Sequence, residues 1–176
     1  MAIVGAGPIG LAALLTARFY SPACIIMIDL DDNRLEMAKR FGATAGINST
    51  DGKAVQTVMK MTGKRGVDTA IEAVGIPATF ELCEKIIAPG GTIANIGVHG
   101  QKVALHLERL WDRNITITTR LVDTSSTPML LNILRTHKLD PKPLITHRFK
   151  LDQILEAYET FGNAATTKAL KVIIEA

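Results

Sequence analysis

The amino-acid sequence predicts an α/β fold: a doubly wound parallel sheet of about six strands, followed by a short C-terminal strand–helix–strand tail. Three observations carry this expectation. Apolar runs of strand length recur, and several are continuous rather than alternating, as strands buried on both faces of a parallel sheet are. Amphipathic stretches of helical length separate them. Three glycines, in the pattern Gly5-x-Gly7-x-x-Gly10, stand between the first apolar run and the first amphipathic stretch.

In chain order, Ala2–Val4 is the first expected strand and Leu11–Tyr20 the helix behind the glycines. Cys24–Ile28 reads as the second strand. Arg34–Phe41 reads as a helix with Leu35, Ala38 and Phe41 on its apolar side and Gly42 as its C-terminal cap. Ala54–Met61 is a helix stopped before Gly63, Val67–Glu72 a strand, and Ala78–Ile87 a helix stopped before Pro89-Gly90-Gly91. Thr92–Ile96 and Ile115–Thr119 are the remaining strand-like runs. Thr127 before Pro128 reads as an N-cap opening a helix to about Thr136. This alternation places the doubly wound domain over residues 1–139. The stretch DPKPLITHRFKL, residues 140–151, breaks the rhythm with two prolines and a charge cluster. After it come a short strand, a helix over Asp152–Phe161 and a final strand, Ala169–Ile174, so residues 140–176 form the tail.

Composition narrows the function. The 176 residues, 47% of them hydrophobic, suffice for one sizeable core. The net charge of +3 is spread along the chain without a basic block, which gives no reason to expect nucleic acid or an anionic membrane as partner. No apolar run approaches the ~18 residues of a membrane span, and the start does not read as a secretory leader. Cys24 and Cys83 form no CxxC pair. A reduced, cytoplasmic protein without a zinc framework of its own is expected.

The glycines point to a phosphate-bearing ligand. Gly5 permits a tight turn, Gly7 removes a Cβ from the path of a pyrophosphate, and Gly10 lets helix and strand pack closely. The phosphates would then meet free N–H groups at the positive end of the helix dipole. Asp29 ends the second strand 19 residues after Gly10. An acid there accepts hydrogen bonds from the adenosine ribose hydroxyls and repels a 2′-phosphate. Arg34, five residues further on, fits either a contact along the adenosine or a solvated charge on a helix face. Taken alone, the motif also fits an ordinary strand–helix turn, and Asp29 a helix cap within Asp29, Asp31 and Asp32. S-adenosylmethionine-dependent methyltransferases share the acid and often a PGG turn, though their loop is usually GxGxG. Flavoproteins share GxGxxG, with Glu typical where Asp29 stands.

Other chemistry is sparse. His99, His106, His137 and His147 show no ligand spacing, although His99 follows NIGV and so falls near the ligand. Glu72 and Glu81 read as single carboxylates without partners, Cys24 and Cys83 as core thiols, and Trp111 as a packing anchor. No catalytic residue and no metal ligand is assigned.

The segments VGAGPIGLAA, IDLDDNRLEMAKRFGAT, GVDTAIEAVG, APGGTIANIGVHG and DRNITITTRL together resemble the zinc-dependent medium-chain alcohol dehydrogenases. In that family a GroES-like catalytic domain carrying the zinc precedes a Rossmann domain, and the chain then returns to the catalytic domain. The resemblance implies that this chain is the Rossmann domain plus the returning tail, with the catalytic domain absent and zinc present only in the full-length enzyme. It also implies a cofactor map for NAD. Gly5, Gly7, Pro8, Ile9 and Gly10 match the pyrophosphate loop, and Asp29 and Arg34 the ribose and adenosine contacts. Ala73, Val74 and Gly75 match the end of the fourth strand, beside the adenine ribose. Ile96, Gly97 and Val98 match the segment passing the nicotinamide, and Arg120 and Leu121 the backbone that bonds the carboxamide. Lys171 matches a basic residue near the pyrophosphate. Residues 102–107, KVALHL, match an edge strand of the family's dimer interface, implying a homo-oligomer, dimer or tetramer. The implied substrates of the full enzyme are a small alcohol, aldehyde or ketone. Asp29 departs from the secondary-alcohol branch, which often uses NADP, and favours NAD. The alternative reading is a stand-alone dinucleotide-binding module without catalysis.

Overall fold

The structure, a computed structural model, describes residues 1–121 and 124–176. The chain forms two compact units, Met1–Val122 and Asp123–Ala176. The first begins β1 (Ala2–Val4), α1 (Pro8–Ala17), β2 (Ile26–Asp29), α2 (Asp32–Arg40) and β3 (Ala45–Asn48). It continues α3 (Ala54–Met61), β4 (Val67–Glu72), α4 (Pro77–Ile86), β5 (Ile87–Asn95), α5 (Leu107–Leu110) and β6 (Thr116–Thr119). The six strands are all parallel, in the order β3-β2-β1-β4-β5-β6. Strand order reverses between β1 and β4, which opens a crevice beyond the carboxyl ends of the strands at that point.

Register fixes what faces that crevice. Ile47, Ile28, Val4, Glu72, Asn95 and Thr119 form one row across the sheet. Residues in register on parallel strands point to one face. On that face Val4, Ile28 and Ile47 join Val58 of α3 and Phe80, Cys83 and Ile86 of α4 in the main core. Full burial of each large aliphatic side chain contributes about 1.5–3 kcal/mol. The same row turns polar at Glu72 and Asn95, which are nevertheless buried.

β1, β4 and α3 have the expected bounds. The first two helices begin two or three residues earlier than expected, at Pro8 and Asp32. β5 begins at Ile87 and runs through Pro89-Gly90-Gly91, its pairing with β4 shifting register there. β3 was not marked by the apolar runs: it is a sheet edge in which Ile47 is the one buried residue.

The second unit contains α6 (Thr127–Arg135), β7 (Ile145–Lys150), α7 (Ile154–Gly162), α8 (Ala164–Thr167) and β8 (Lys171–Glu175). β7 and β8 pair in parallel, and α7 packs on both. The N-cap of α6 is Ser126 rather than Thr127, and the Ser126 side chain makes no capping hydrogen bond. The final strand starts two residues later than expected, because Leu170 N donates to Thr146 Oγ1 before the ladder begins.

Candidate functional site

The glycine loop crosses the crevice between β1 and α1. Gly5 holds φ at +100°, a conformation that side chains rarely adopt, and donates its N–H to Ile28 O at 2.8 Å. Gly7 is the N-cap of α1, with Pro8 in the first turn and no side-chain cap or acidic residue there. The helix ladder starts with Leu11 N donating to Gly7 O at 2.9 Å, so the N–H groups of Ile9 and Gly10 precede it. A Cβ on Gly7 would meet nothing within 4 Å, whereas one on Gly10 would lie 1.8 Å from Gly5 O. The two glycines differ in purpose: Gly10 lets α1 approach β1, and Gly7 leaves open space in front of uncapped N–H groups.

Asp29 stands across from the loop and is already engaged. Its Oδ2 accepts from Ala6 N at 2.6 Å, and its Oδ1 from Leu30 N at 2.8 Å and Asp31 N at 3.0 Å. A carboxylate offers about four lone-pair directions, so one remains for a ligand. The helix-capping role belongs to Asp31, whose Oδ1 accepts from Asn33 N at 2.8 Å and Arg34 N at 3.4 Å. Arg34 Nε lies 4.0 Å from Asp31 Oδ2 and is one-third exposed.

Gly5, Gly7, Asp29, Arg34, Ala73 and Val74 line one cleft of about 660 Å³. Ser49, Val55 and the Glu81–Lys85 pair, joined at 2.8 Å, complete walls that the motif did not identify. Glu81 therefore has a partner, contrary to expectation, and Lys85 beside it holds its carboxyl below the usual range. Its i,i+4 spacing to Lys85 was the available signal. Ile96 instead lines a broader groove of about 970 Å³ along α1 and the uncovered face of β4 and β5. Arg120 and Leu121 follow β6, where Arg120 N donates to Asn95 O at 3.4 Å and Leu121 is exposed. Lys171 is exposed at the start of β8, in the second unit.

Glu72 is the largest departure from expectation. It is fully buried, and its Oε1 accepts from Val74 N and Gly75 N, each at 2.9 Å, and from Thr79 Oγ1 at 2.7 Å. Its main-chain carbonyl accepts from Ile96 N at 2.9 Å and Gly97 N at 3.0 Å. Glycine is required at both joints: a Cβ on Gly75 would lie 2.3 Å from Val98 O, and one on Gly97 2.2 Å from Glu72 Oε2. The loops after β4 and β5 are thus clasped through one residue.

No histidine lines the cleft beside Asp29. His106 Nδ1 lies 2.6 Å from Oε2 of the buried Glu84, and His147 stacks on Phe149. Residues 102–106 carry no strand pairing within the chain. Burial, reinforced by the negative charges of Glu72 and Glu84, pushes the Cys83 thiol far up, so it stays protonated. Cys83 is expected to resist a thiol reagent in native protein and to react on unfolding, while half-buried Cys24 reacts first; a two-phase Ellman titration checks this. Among the described residues no three His, Cys, Asp or Glu side chains come together as a metal donor set, and no helix is long and apolar enough to cross a membrane.

This geometry has clear relatives. The family model for zinc-binding dehydrogenases matches residues 8–135. An alcohol dehydrogenase of Cupriavidus necator is 37% identical over 167 residues, 93% of this chain and 46% of that protein. A sorbitol dehydrogenase of Bacillus subtilis is 33% identical over 160 residues, 90% of this chain and 45% of that protein. The solved apo structure of zinc dependent alcohol dehydrogenase 2 from Streptococcus pneumonia is 59% identical, with a TM-score of 0.96, and is matched over 99% of this chain and 50% of that one. The chain spans about half the length of the relatives it matches. It belongs to the zinc-dependent alcohol dehydrogenase family.

Proposed function

We propose that this chain is the NAD(H)-binding half of a zinc-dependent alcohol dehydrogenase, and that the full-length protein interconverts an alcohol with its aldehyde or ketone. The observation that carries the reading is the open position in front of Gly7, flanked by uncapped N–H groups and faced by Asp29. A dinucleotide fits these residues. The N–H groups of Ile9 and Gly10 bind the pyrophosphate at the positive end of α1. The remaining lone pair of Asp29 takes a ribose hydroxyl, and Val74 and Arg34 flank the adenosine. With that half fixed on the β2 side, the other nucleotide runs over β4 and β5. There the segment Ile96–Val98 forms its wall and the backbone at Arg120 and Leu121 its far end. When bound, the nicotinamide supplies the hydride-accepting and hydride-donating chemistry. This chain's residues bind and orient it. Among the described residues no donor set for zinc comes together.

Residues 140–176, with Lys171, are read as the segment that returns toward the catalytic domain. Exposed Leu107 and Trp111, beside segment 102–106, which lies outside every strand, support a homo-oligomeric assembly. Two free cysteines support a reducing, cytoplasmic location. Titration of the chain with NADH, followed by nicotinamide fluorescence, tests the central claim. The expected result is saturable binding, displaced by NAD and AMP, with NADPH at least about tenfold weaker because its 2′-phosphate meets the Asp29 carboxylate. Absence of NADH binding, or a preference for S-adenosylmethionine, would sink it.

A further inference from the structure

Behind the wall proposed for the second nucleotide lies a buried polar cluster with two unsatisfied atoms, Glu72 Oε2 and His99 Nδ1. The cluster joins the ends of β4 and β5. Asn95 Nδ2 donates to Gly97 O at 3.2 Å. That bond orients the amide, so Asn95 Oδ1 is the acceptor that faces His99 Nε2 at 2.7 Å. His99 must then carry its proton on Nε2. The same nitrogen lies 3.2 Å from Glu72 Oε2, near enough for attraction, but its N–H is aimed at Asn95 and makes no aligned hydrogen bond to the carboxylate. The ring is held edge-on to Phe80, with centroids 6.2 Å apart.

Each end of this cluster grips backbone of the site. Glu72 holds Val74 and Gly75 through its carboxylate, and Ile96 and Gly97 through its carbonyl. Asn95 holds Gly97 from the other side. His99 N–H satisfies Asn95 Oδ1 and is the positive edge that faces Glu72 Oε2. Without that donor, two buried oxygens, Asn95 Oδ1 and Glu72 Oε2, lose their polar neighbour, and water drawn in to solvate them displaces Asn95 from Gly97 O. The clamp on Gly97 would then open.

We propose that His99, acting through Asn95 and Glu72, is a positioning residue for the half of the dinucleotide site that lies over β4 and β5. The inference rests on the dinucleotide reading above. It also separates the two halves of the ligand. The cleft beside Asp29 has neither His99 nor residues 96–98 in its lining. Val74 in that lining is held by Glu72 Oε1, whose three donors do not include His99, so a ligand confined to that cleft does not depend on His99, whereas one that continues over β5 does.

The test compares NADH with AMP on the full chain, in wild type, His99→Leu, His99→Ala and His99→Gln. Leucine and alanine remove the donor; glutamine returns an N–H close to the position of Nε2. For His99→Leu and His99→Ala the expected result is about tenfold weaker NADH binding, with AMP affinity within about twofold of wild type. His99→Gln is expected to restore NADH binding to within about threefold. Nitrogen NMR of the free wild-type chain should show the His99 proton on Nε2. Equal losses for NADH and AMP, failure of both donor-less variants to fold, no rescue by glutamine, or a proton on Nδ1 would each overturn the positioning role. Wild-type chain that binds AMP and NADH normally, with NADH binding unchanged in His99→Leu, would overturn this inference alone. Wild-type chain that binds neither ligand would overturn the dinucleotide reading and this inference with it.

Discussion

Gly10→Ala is expected to lower the melting temperature by about 10 °C, while Gly7→Ala leaves it within about 2 °C and abolishes tight NADH binding. A Cβ on Gly10 would sit 1.8 Å from Gly5 O and 2.8 Å from Gly5 C, both backbone atoms that no rotamer change can move aside. Relief requires α1 to lift from β1, which disturbs the buried Leu11 and Leu14. Overpacking of this kind costs about 3 kcal/mol or more, and each kcal/mol shifts the midpoint of a chain this size by roughly 2–4 °C. Gly7 is the opposite case. Its φ of −72° suits alanine, and a Cβ there meets nothing within 4 Å. The added methyl costs the fold little but stands where the pyrophosphate is proposed to approach, and a loss of at least about tenfold in NADH affinity follows. Thermal unfolding and NADH titration of the two variants read the contrast. A Gly7→Ala chain that binds NADH normally would remove the anion from this position. A Gly10→Ala chain that melts normally would mean that α1 and β1 are not in close backbone contact.

That contrast shows how far the sequence carries. The glycine spacing announced both roles, because a turn, an anion and a close helix–strand approach each forbid a side chain at a fixed offset. A continuous apolar run announced β1 for an equally direct reason: all three of its residues are buried. β3 escaped because an edge strand with one buried residue leaves no apolar run to read. Glu72 escaped for a different reason. Its partners are backbone N–H groups, which carry no residue identity, Thr79, and His99 on the next strand's loop. No spacing rule links such groups; sheet register brings them together. Asp29 was legible as an acid at the end of β2, but its three backbone donors were not. The loop uses the carboxylate as a structural tie as well as a proposed ligand contact.

Both roles of that carboxylate meet in one variant. Asp29→Asn is expected to weaken NADH binding by roughly 10–100-fold, with a smaller loss for NADPH, so that the preference between them falls at least about tenfold. The amide keeps an oxygen for Leu30 N and Asp31 N, now at 2.8 and 3.0 Å. Its NH₂ group is then turned toward Ala6 N–H, a donor facing a donor where a 2.6 Å hydrogen bond stood. The tie to the glycine loop is lost, and so is the acceptor for the ribose hydroxyl. Both ligands suffer those losses. NADPH alone gains, because the negative charge opposing its 2′-phosphate has gone and Arg34 lines the same cleft. Asp29→Gly should narrow the preference likewise while weakening NADH binding, since it removes the tie and the acceptor together. The control is Asp31→Asn at the neighbouring helix cap. It shares the cleft's charge environment but is expected to change stability by no more than about 1 kcal/mol and to leave the NADH/NADPH preference within about threefold. Competitive titration of NADH and NADPH on the three variants decides the matter. An unchanged preference in Asp29→Asn would reduce Asp29 to a loop tie and move cofactor choice to another residue.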